Sequence, residues 1–268
     1  MHLGHARTFW TAHRRAREAG GTLVFRNEDL DRDRARPEFA EAQLRDLRWF
    51  GIEWQEGPDV GGPFAPYSQS ERRTVYEAIF GRLRAAGRVY PCCCSRRDIA
   101  QAVAAPHASD DEPIYPGTCR GRDPGSADAV AGRPPAWRFR VPDGEEIVFE
   151  DGGQGTQRFV AGRDFGDFVV VRQDGVPSYQ LACVVDDHLM GITEVVRGAD
   201  LLVSTARQIL LFRALGWPVP RFFHTALVTD GNGVRLAKRH AALSLGTLRE
   251  NGWTPEALRD PGVRIAET

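Results

Sequence analysis

The order in which helical and extended patterns succeed one another along this 268-residue chain, and the one long stretch where that order breaks, most narrows the folds open to it. Residues 5–19 place Ala6, Phe9, Trp10 and His13 at three-and-four spacing ahead of a Gly20-Gly21 stop, which predicts a helix. TLVFRNE, residues 22–28, reads as a short buried strand. Pro37 stands where a helix favours its first residue, Leu44, Leu47 and Phe50 make its stripe, and Gly51 ends it. Ser68 and Glu71 have capping-box spacing before a helix that carries Val75, Ile79, Phe80 and Leu83 inward. Strand alternating with helix predicts an α/β fold built on a parallel sheet.

Between about Tyr90 and Gly162 the regularity fails. Pro, Gly and Asp accumulate before two strand-like runs, AWRFRV and EIVFED, and this stretch reads as an inserted lobe. The pattern resumes with DFVVVRQDGVPSYQLACVVDD, in which Asp174-Gly175 predicts a hairpin turn between strands. Ser204 or Thr205 is placed to cap a helix that Gly216 closes. The expected organisation is a first half of the sheet over 1–89, the lobe over 90–162, a second half over 163–216 and a C-terminal segment over 217–268. There are no internal repeats.

A formal net charge of −1 excludes a general electrostatic sponge for nucleic acid, although the pairs Arg14-Arg15, Arg72-Arg73 and Arg96-Arg97 could form a local patch. No apolar run reaches the length of a membrane span, and MHLGHARTFW lacks the layout of a signal peptide, so a cytoplasmic protein is expected. Cys92, Cys93, Cys94, Cys119 and Cys183 are an odd set, which points to thiols or metal ligands and away from a disulfide framework. Cys183, in what reads as an apolar strand, looks like a core residue.

Two features carry chemistry. His2 and His5, three apart at a helix start with Gly4 between them, combine imidazoles with free N–H groups that favour phosphate. Near the other end, GVRLAKRHAA holds Lys238, the one lysine among 35 Lys and Arg. A compact ammonium on a flexible stem suits a point contact to a moving phosphate, and Arg235, Arg239 and His240 add donors. Read alone, Lys238 could equally be the remnant of an arginine-rich composition. Glu28 could be a strand-end carboxylate paired with Arg26 or Arg32, and Arg197 an ordinary ion-pair partner.

Taken together, HLGHART, FRNEDLDRDR, YSQSERR, VPSYQLACVVDDHLMGITEVVRGADLL and RLAKRH stand in the order found in class I aminoacyl-tRNA synthetases. The chain resembles the catalytic core of the glutamyl branch over nearly its whole length. RGAD at 197–200, where full-length glutamyl enzymes usually carry RGED, makes it more similar to the short queuosine-directed members that lack an anticodon-binding domain. The resemblance implies a Rossmann-type parallel sheet with an inserted zinc-binding lobe. It implies a monomer that activates L-glutamate with ATP and Mg²⁺ without needing tRNA first, then transfers it to queuosine at the wobble position of tRNA(Asp). By position, His2, Gly4, His5 and Lys238 contact ATP, the two histidines and the lysine being the catalytic groups. Glu28 takes the substrate's α-ammonium, and Tyr179 and Arg197 form the opposite wall of the amino-acid pocket.

The same resemblance implies a structural Zn²⁺ on Cys92, Cys94, Tyr115 and Cys119, with Cys93 and His107 as substitutes and free thiols as the plain alternative. It makes Asp186, Asp187 and His188 largely architecture and His13 structural. Ala237 and Arg239 stand where the family often has Ser, so the loop's hydrogen bonding is altered while its charge is kept. An RFAPSPTG-like segment ordinarily precedes HLGHA and supplies a sheet strand. Here Met1 directly precedes His2, which leads to the expectation that the start was assigned too late. A truncated tRNA-charging glutamyl enzyme and an inactive RNA-binding derivative are the competing readings.

Overall fold

The computed structural model describes residues 1–31, 37–95, 97–99, 114–122, 134–227 and 244–260. Arg32, Arg96, His107 and the whole of the lysine loop, with Arg235, Ala237, Lys238, Arg239 and His240, lie outside the described residues.

Helix α1 spans Leu3–Glu18 and is capped by His2, whose Nδ1 accepts the Gly4 N–H at 3.3 Å. Arg15 and Arg17 complement the negative end of its dipole, and Gly20 leaves it at φ 62°. Helix α2, Pro37–Trp49, buries Leu47, and Gly51 turns away at φ 85° beside buried Phe50. These starts and stops match the sequence pattern because the residues that define them act locally.

The third helix departs from expectation at its start. A 3₁₀ turn, Gln69–Glu71, precedes α3, Arg73–Ala85, and Ser68 makes no side-chain cap bond. The Ser70 hydroxyl is instead bound to Asp29 at 2.6 Å, so the polar groups of this turn serve a tertiary contact. Residues 22–28 do not form a continuous strand. Val24 bridges Glu56 and Asn27 bridges Ser68, both in parallel sense, so the segment's backbone donors are shared between two separate loops.

The described strands form two sheets. In the first, β1 (Val89–Cys92), β2 (Ala136–Phe139) and β5 (Phe168–Val171) are antiparallel in the order β1-β2-β5. The second has the order β4-β3-β7-β6, from β3 (Glu146–Asp151), β4 (Gly155–Val160), β6 (Glu194–Gly198) and β7 (Arg221–Thr225). Among the pairs of described strands, only β6 with β7, and β3 with β7 at Asp151 opposite Phe222, are parallel. The sheet is therefore mixed, not the all-parallel one expected, because the β3–β4 hairpin brings its own antiparallel ladder to the β6–β7 pair. That parallel pair needs a crossover helix, which α5 (Leu202–Leu215) supplies.

The Asp174-Gly175 turn is present, with Gly175 at φ 77°, and it returns the chain to a bridge between Val171 and Pro177. The element after this turn is a helix, not a strand: α4, Tyr179–Leu189, whose first turn is capped by the Ser178 hydroxyl. Residues Gln180 to Asp187 are all buried, so α4 shows no polar face from which its period could be read. Neither Ser204 nor Thr205 caps α5. Leu201 holds the cap position, Thr205 lies inside with its hydroxyl on the Leu201 carbonyl, and Gly216 closes the helix at φ 70° as expected.

Two short helices, α6 (Leu245–Glu250) and α7 (Pro255–Arg259), begin at Ser244 and Thr254 side-chain caps. Their Leu245, Leu248 and Leu258 complete a core with Leu3, Ala6, Leu47 and Phe50 of the N-terminal segment. The Leu245 N–H reaches the Met1 carbonyl, and Arg7 reaches the carbonyls of Leu258 and Asp260. The last described residues are thereby tied to the first helix. No helix among the described residues is long and apolar enough to cross a membrane.

Candidate active site

A cleft of about 1300 Å³ opens where α1, the 22–28 segment, α4 and the ends of β6 and β7 meet. His2, Gly4 and His5 line it from the start of α1, Glu28 from the second segment, Tyr179 from the start of α4 and Arg197 from β6. The structure thus brings together every described residue expected to hold ATP or glutamate. The His2 and His5 rings lie 6.3 Å apart in an edge arrangement beside the helix N-terminus.

Asp186 and Asp187 divide the work of holding the pocket. Asp186, 0% exposed, accepts from Gln69 Nε2 at 2.9 Å, Arg72 Nε at 2.7 Å and the Tyr76 hydroxyl at 2.8 Å, which locks α3 to α4. Asp187 accepts from Arg26 at 2.7 Å, and the other arm of Arg26 reaches Glu28 Oε1 at 3.1 Å. Burial pushes the Asp187 carboxyl above its ordinary value, while the coulombic pull of Asp187 is the leading influence that raises Arg26 against its own desolvation. The paired aspartates are architectural, as expected, and Glu28 does pair with Arg26.

That ion pair aims Glu28 into the cleft. The same Oε1 accepts the Cys183 thiol at 3.4 Å, and Cys183 lines the cleft from α4. Its place on a helix one turn after Tyr179 corrects the expected strand, while its burial, 2% exposed, agrees with the reading of a core residue. Burial and the Glu28 carboxylate push its thiol pKa well up, which keeps it protonated and able to donate.

Arg197 is 7% exposed and its donors are assigned to three neighbours. One terminal nitrogen donates to the Tyr179 hydroxyl at 3.1 Å, the other to Thr205 Oγ1 at 2.6 Å, and Nε lies 3.2 Å from His224 Nε2. The opposite edge of the His224 ring meets Asp151, with Nδ1 at 2.5 Å from Oδ2. Sequence reasoning gave Asp151 and His224 no role, expected Arg26 only as an ion-pair partner of Glu28, and missed Thr205 and Cys183 as neighbours of the pocket residues. Only contacts across 27 residues or more, such as Arg197 with His224 and Asp151 with His224, reveal the buried pair behind Arg197.

At the end of β1, Cys92 meets Cys94 and Cys119, their sulfurs within 4.8 Å of one another. The Tyr115 hydroxyl lies 3.3 Å from Cys92 Sγ and 3.6 Å from Cys94 Sγ, and it takes the Cys119 N–H at 2.8 Å. Burial raises the Cys94 thiol to about 11. Arg138 donates to Cys92 at 3.3 Å and stacks over the Tyr115 ring at 3.9 Å. Three thiols and a phenol oxygen around one point suit a soft, tetrahedral cation. Cys93 instead faces Arg122, at 3.4 Å.

Several arginines read as an RNA patch are otherwise engaged. Arg15 forms two bonds to Glu194 and covers the Phe223 ring, and Arg72 is buried on Asp186. His13 is 2% exposed against Trp10, which agrees with a structural role.

The sequence model described as "tRNA synthetases class I (E and Q), catalytic domain" matches residues 1–266. The chain belongs to this family of class I tRNA synthetases. Among curated class I synthetases, the Glutamyl-Q tRNA(Asp) synthetase of Symbiobacterium thermophilum is 54% identical over 96% of this chain and 80% of its own length. A protein of the same name from Nitratidesulfovibrio vulgaris is 48% identical, over 94% and 78%. The solved class I structure of glutamate-tRNA synthetase from Elizabethkingia anophelis superposes with a TM-score of 0.82 at 29% identity, covering 98% of this chain and 59% of that one. The class I assignment agrees with the expected family, in a version of the fold whose sheets are mixed.

Proposed function

We propose that this protein activates L-glutamate with ATP, independently of tRNA, and transfers it to queuosine at the wobble position of tRNA(Asp). The observation that carries the reading is the meeting of Glu28, Tyr179 and Arg197 with the His2-Gly4-His5 helix start in one cleft, in a chain most of whose length aligns with proteins of the glutamyl-Q name. Two chemically opposite walls face each other across that cleft. Glu28 takes the α-ammonium, and Arg197 with Tyr179 takes carboxylate, where a guanidinium edge gives geometric selectivity.

Glutamate's α-carboxylate is ionised at neutral pH, so activation needs no general base. One carboxylate oxygen bonds to the α-phosphorus of ATP as the bond to the pyrophosphate oxygen breaks, and pyrophosphate leaves. The protein's task is to position two anions and stabilise the charge that moves onto the leaving group. His2, His5 and the Gly4 N–H at the start of α1 serve the phosphates, and Lys238 serves the pyrophosphate side. Thr225 touches Thr8 at 2.8 Å and Ser244 bridges His2, so the described residues flanking 228–243 both lie at the first turns of α1. Those anchors support the role given to Lys238. Mg²⁺ accompanies the nucleotide and neutralises phosphate charge.

A structural Zn²⁺ on Cys92, Cys94, Cys119 and Tyr115 clips the lobe, which has a small apolar core of its own. The 1–89, 90–162, 163–216 and 217–268 division is proposed as the functional organisation, in a monomer working in the cytoplasm. Ala199, in place of the Glu of RGED, favours the queuosine acceptor over ordinary charging of a tRNA end.

Glutamate-dependent pyrophosphate exchange without tRNA tests activation, and Lys238→Ala should remove most of it. Labelled glutamate offered to tRNA(Asp) with and without queuosine tests the acceptor. Transfer only to the queuosine form is expected, and equal labelling of both overturns it in favour of a shortened charging enzyme.

A further inference from the structure

Behind Arg197, out of reach of the cleft, stands a buried pair that the reaction chemistry does not use. Asp151 ends β3, in the stretch whose sequence reads as an insertion, and His224 lies on β7. His224 is 0% exposed and Asp151 5%. The carboxylate is held by its backbone surroundings: Oδ1 accepts the N–H groups of Gly153 at 2.9 Å, Gln154 at 2.8 Å and His224 at 3.0 Å. Oδ2 is left for the imidazole, 2.5 Å from Nδ1.

The proton on that ring can be assigned by elimination. An ionised carboxylate only accepts, so Nδ1 carries hydrogen. His224 Nε2 lies 3.2 Å from Arg197 Nε and 3.0 Å from the Thr205 hydroxyl; the hydroxyl can donate or accept, but a guanidinium Nε only donates, so Nε2 is bare and accepts. Burial and the Arg197 charge depress the ring's pKa, and Asp151 pulls the other way. The chain Asp151, His224, Arg197, Tyr179 is then polarised in one direction and ends at the mouth of the pocket.

We propose that Asp151 and His224 are positioning residues for glutamate recognition. The three backbone amides fix the carboxylate, the carboxylate fixes the ring as its Nδ1–H tautomer, and the bare Nε2 fixes the rotation of the Arg197 guanidinium toward the substrate carboxylate. This rests on the reading of Arg197 as a glutamate contact.

Asp151→Asn is the incisive variant. Its amide orientation is forced, because Oδ1 must keep three backbone donors and the NH₂ must replace Oδ2. That NH₂ drives His224 into the Nε2–H tautomer, which sets one donor against Arg197 Nε. Glutamate KM in pyrophosphate exchange should rise on the order of tenfold to a hundredfold, the cost of one buried unsatisfied donor, with ATP KM and kcat little changed. His224→Gln, which can offer an amide N–H to Asp151 and a carbonyl to Arg197, should retain more glutamate affinity than His224→Leu. Nitrogen-15 spectra of histidine-labelled wild-type protein should show His224 with Nδ1 protonated and Nε2 bare.

A wild-type ring with Nε2 protonated overturns the proposal even if Asp151→Asn fails to fold. A folded Asp151→Asn with unchanged glutamate KM, or equal losses in His224→Gln and His224→Leu, overturns it as well. Arg197→Ala separates this from the underlying reading: if that variant leaves glutamate KM unchanged, the assignment of Arg197 itself fails.

Discussion

At Asp186 a single carboxylate satisfies Gln69, Arg72 and Tyr76 at once, with Arg26 Nε a further 3.7 Å away. Asp186→Asn keeps the shape but leaves the Arg72 and Arg26 charges buried with one fewer counter-charge. Loss of a buried partner of this kind costs about 3–5 kcal/mol, which a urea midpoint will register. Arg197 has the opposite profile, since its geometry serves the cleft more than the fold. Arg197→Lys removes the planar fork, and glutamate KM should rise roughly tenfold or more with a much smaller change in stability, as for loss of a charged hydrogen bond. Sequence reasoning singled out Glu28, Tyr179 and Arg197 because a familiar order of motifs surrounds them. Arg26 pairs with Glu28 two residues on, as its sequence position allows, but the contact of Cys183 with Glu28 depends on how α4 lies against the 22–28 segment.

Among the elements, two glycines separate conformational from steric demand. Gly216 ends α5 at φ 70° with open space around it, so Gly216→Ala should cost about 1 kcal/mol of left-handed strain. Gly153 has no such backbone angle, yet an added Cβ would collide with the His224 carbonyl oxygen. Gly153→Ala should therefore melt lower than Gly216→Ala and should also weaken glutamate binding, because it pushes the β3–β4 turn off β7. The thiol cluster beside β1 belongs to the same scale. Chelation should expose Cys92, Cys94 and Cys119 to a thiol reagent that otherwise reaches Cys93 first, accompanied by a fall in melting temperature. Helices α1 and α2 were legible because each has one apolar face and local stops. Helix α4 was not, since the burial of Gln180 to Asp187 erased its period, and the Ser68 capping pattern failed because a 3₁₀ turn over Gln69–Glu71 moves the helix start to Arg73.

Among the described residues, three imidazoles give the molecule a pH dependence. His13, His188 and His224 all have pKa values lowered first of all by burial. In the unfolded chain each takes up a proton near pH 6.5, before the folded chain does, so stability is fully present above that pH and is lost as pH falls through the lowered folded values. Asp187, raised by burial, works in the opposite sense at more acidic pH. The melting temperature should fall by about 2–6 °C between pH 7.5 and 5.5, equivalent to one or two kcal/mol for a chain of this size. A flat profile over that range would contradict the neutral state assigned to these rings. The first two helices, the phosphate-favouring helix start, the thiol spacing and the solitary lysine were all determined by the sequence, since each depends on neighbours within a few positions. Tertiary structure alone decided that the sheets are mixed, that Asp151 at the end of β3 stands behind a core histidine, and that the last described helices close on the first. Those outcomes depend on which buried polar groups find partners across long stretches of chain, and no local pattern encodes such pairings.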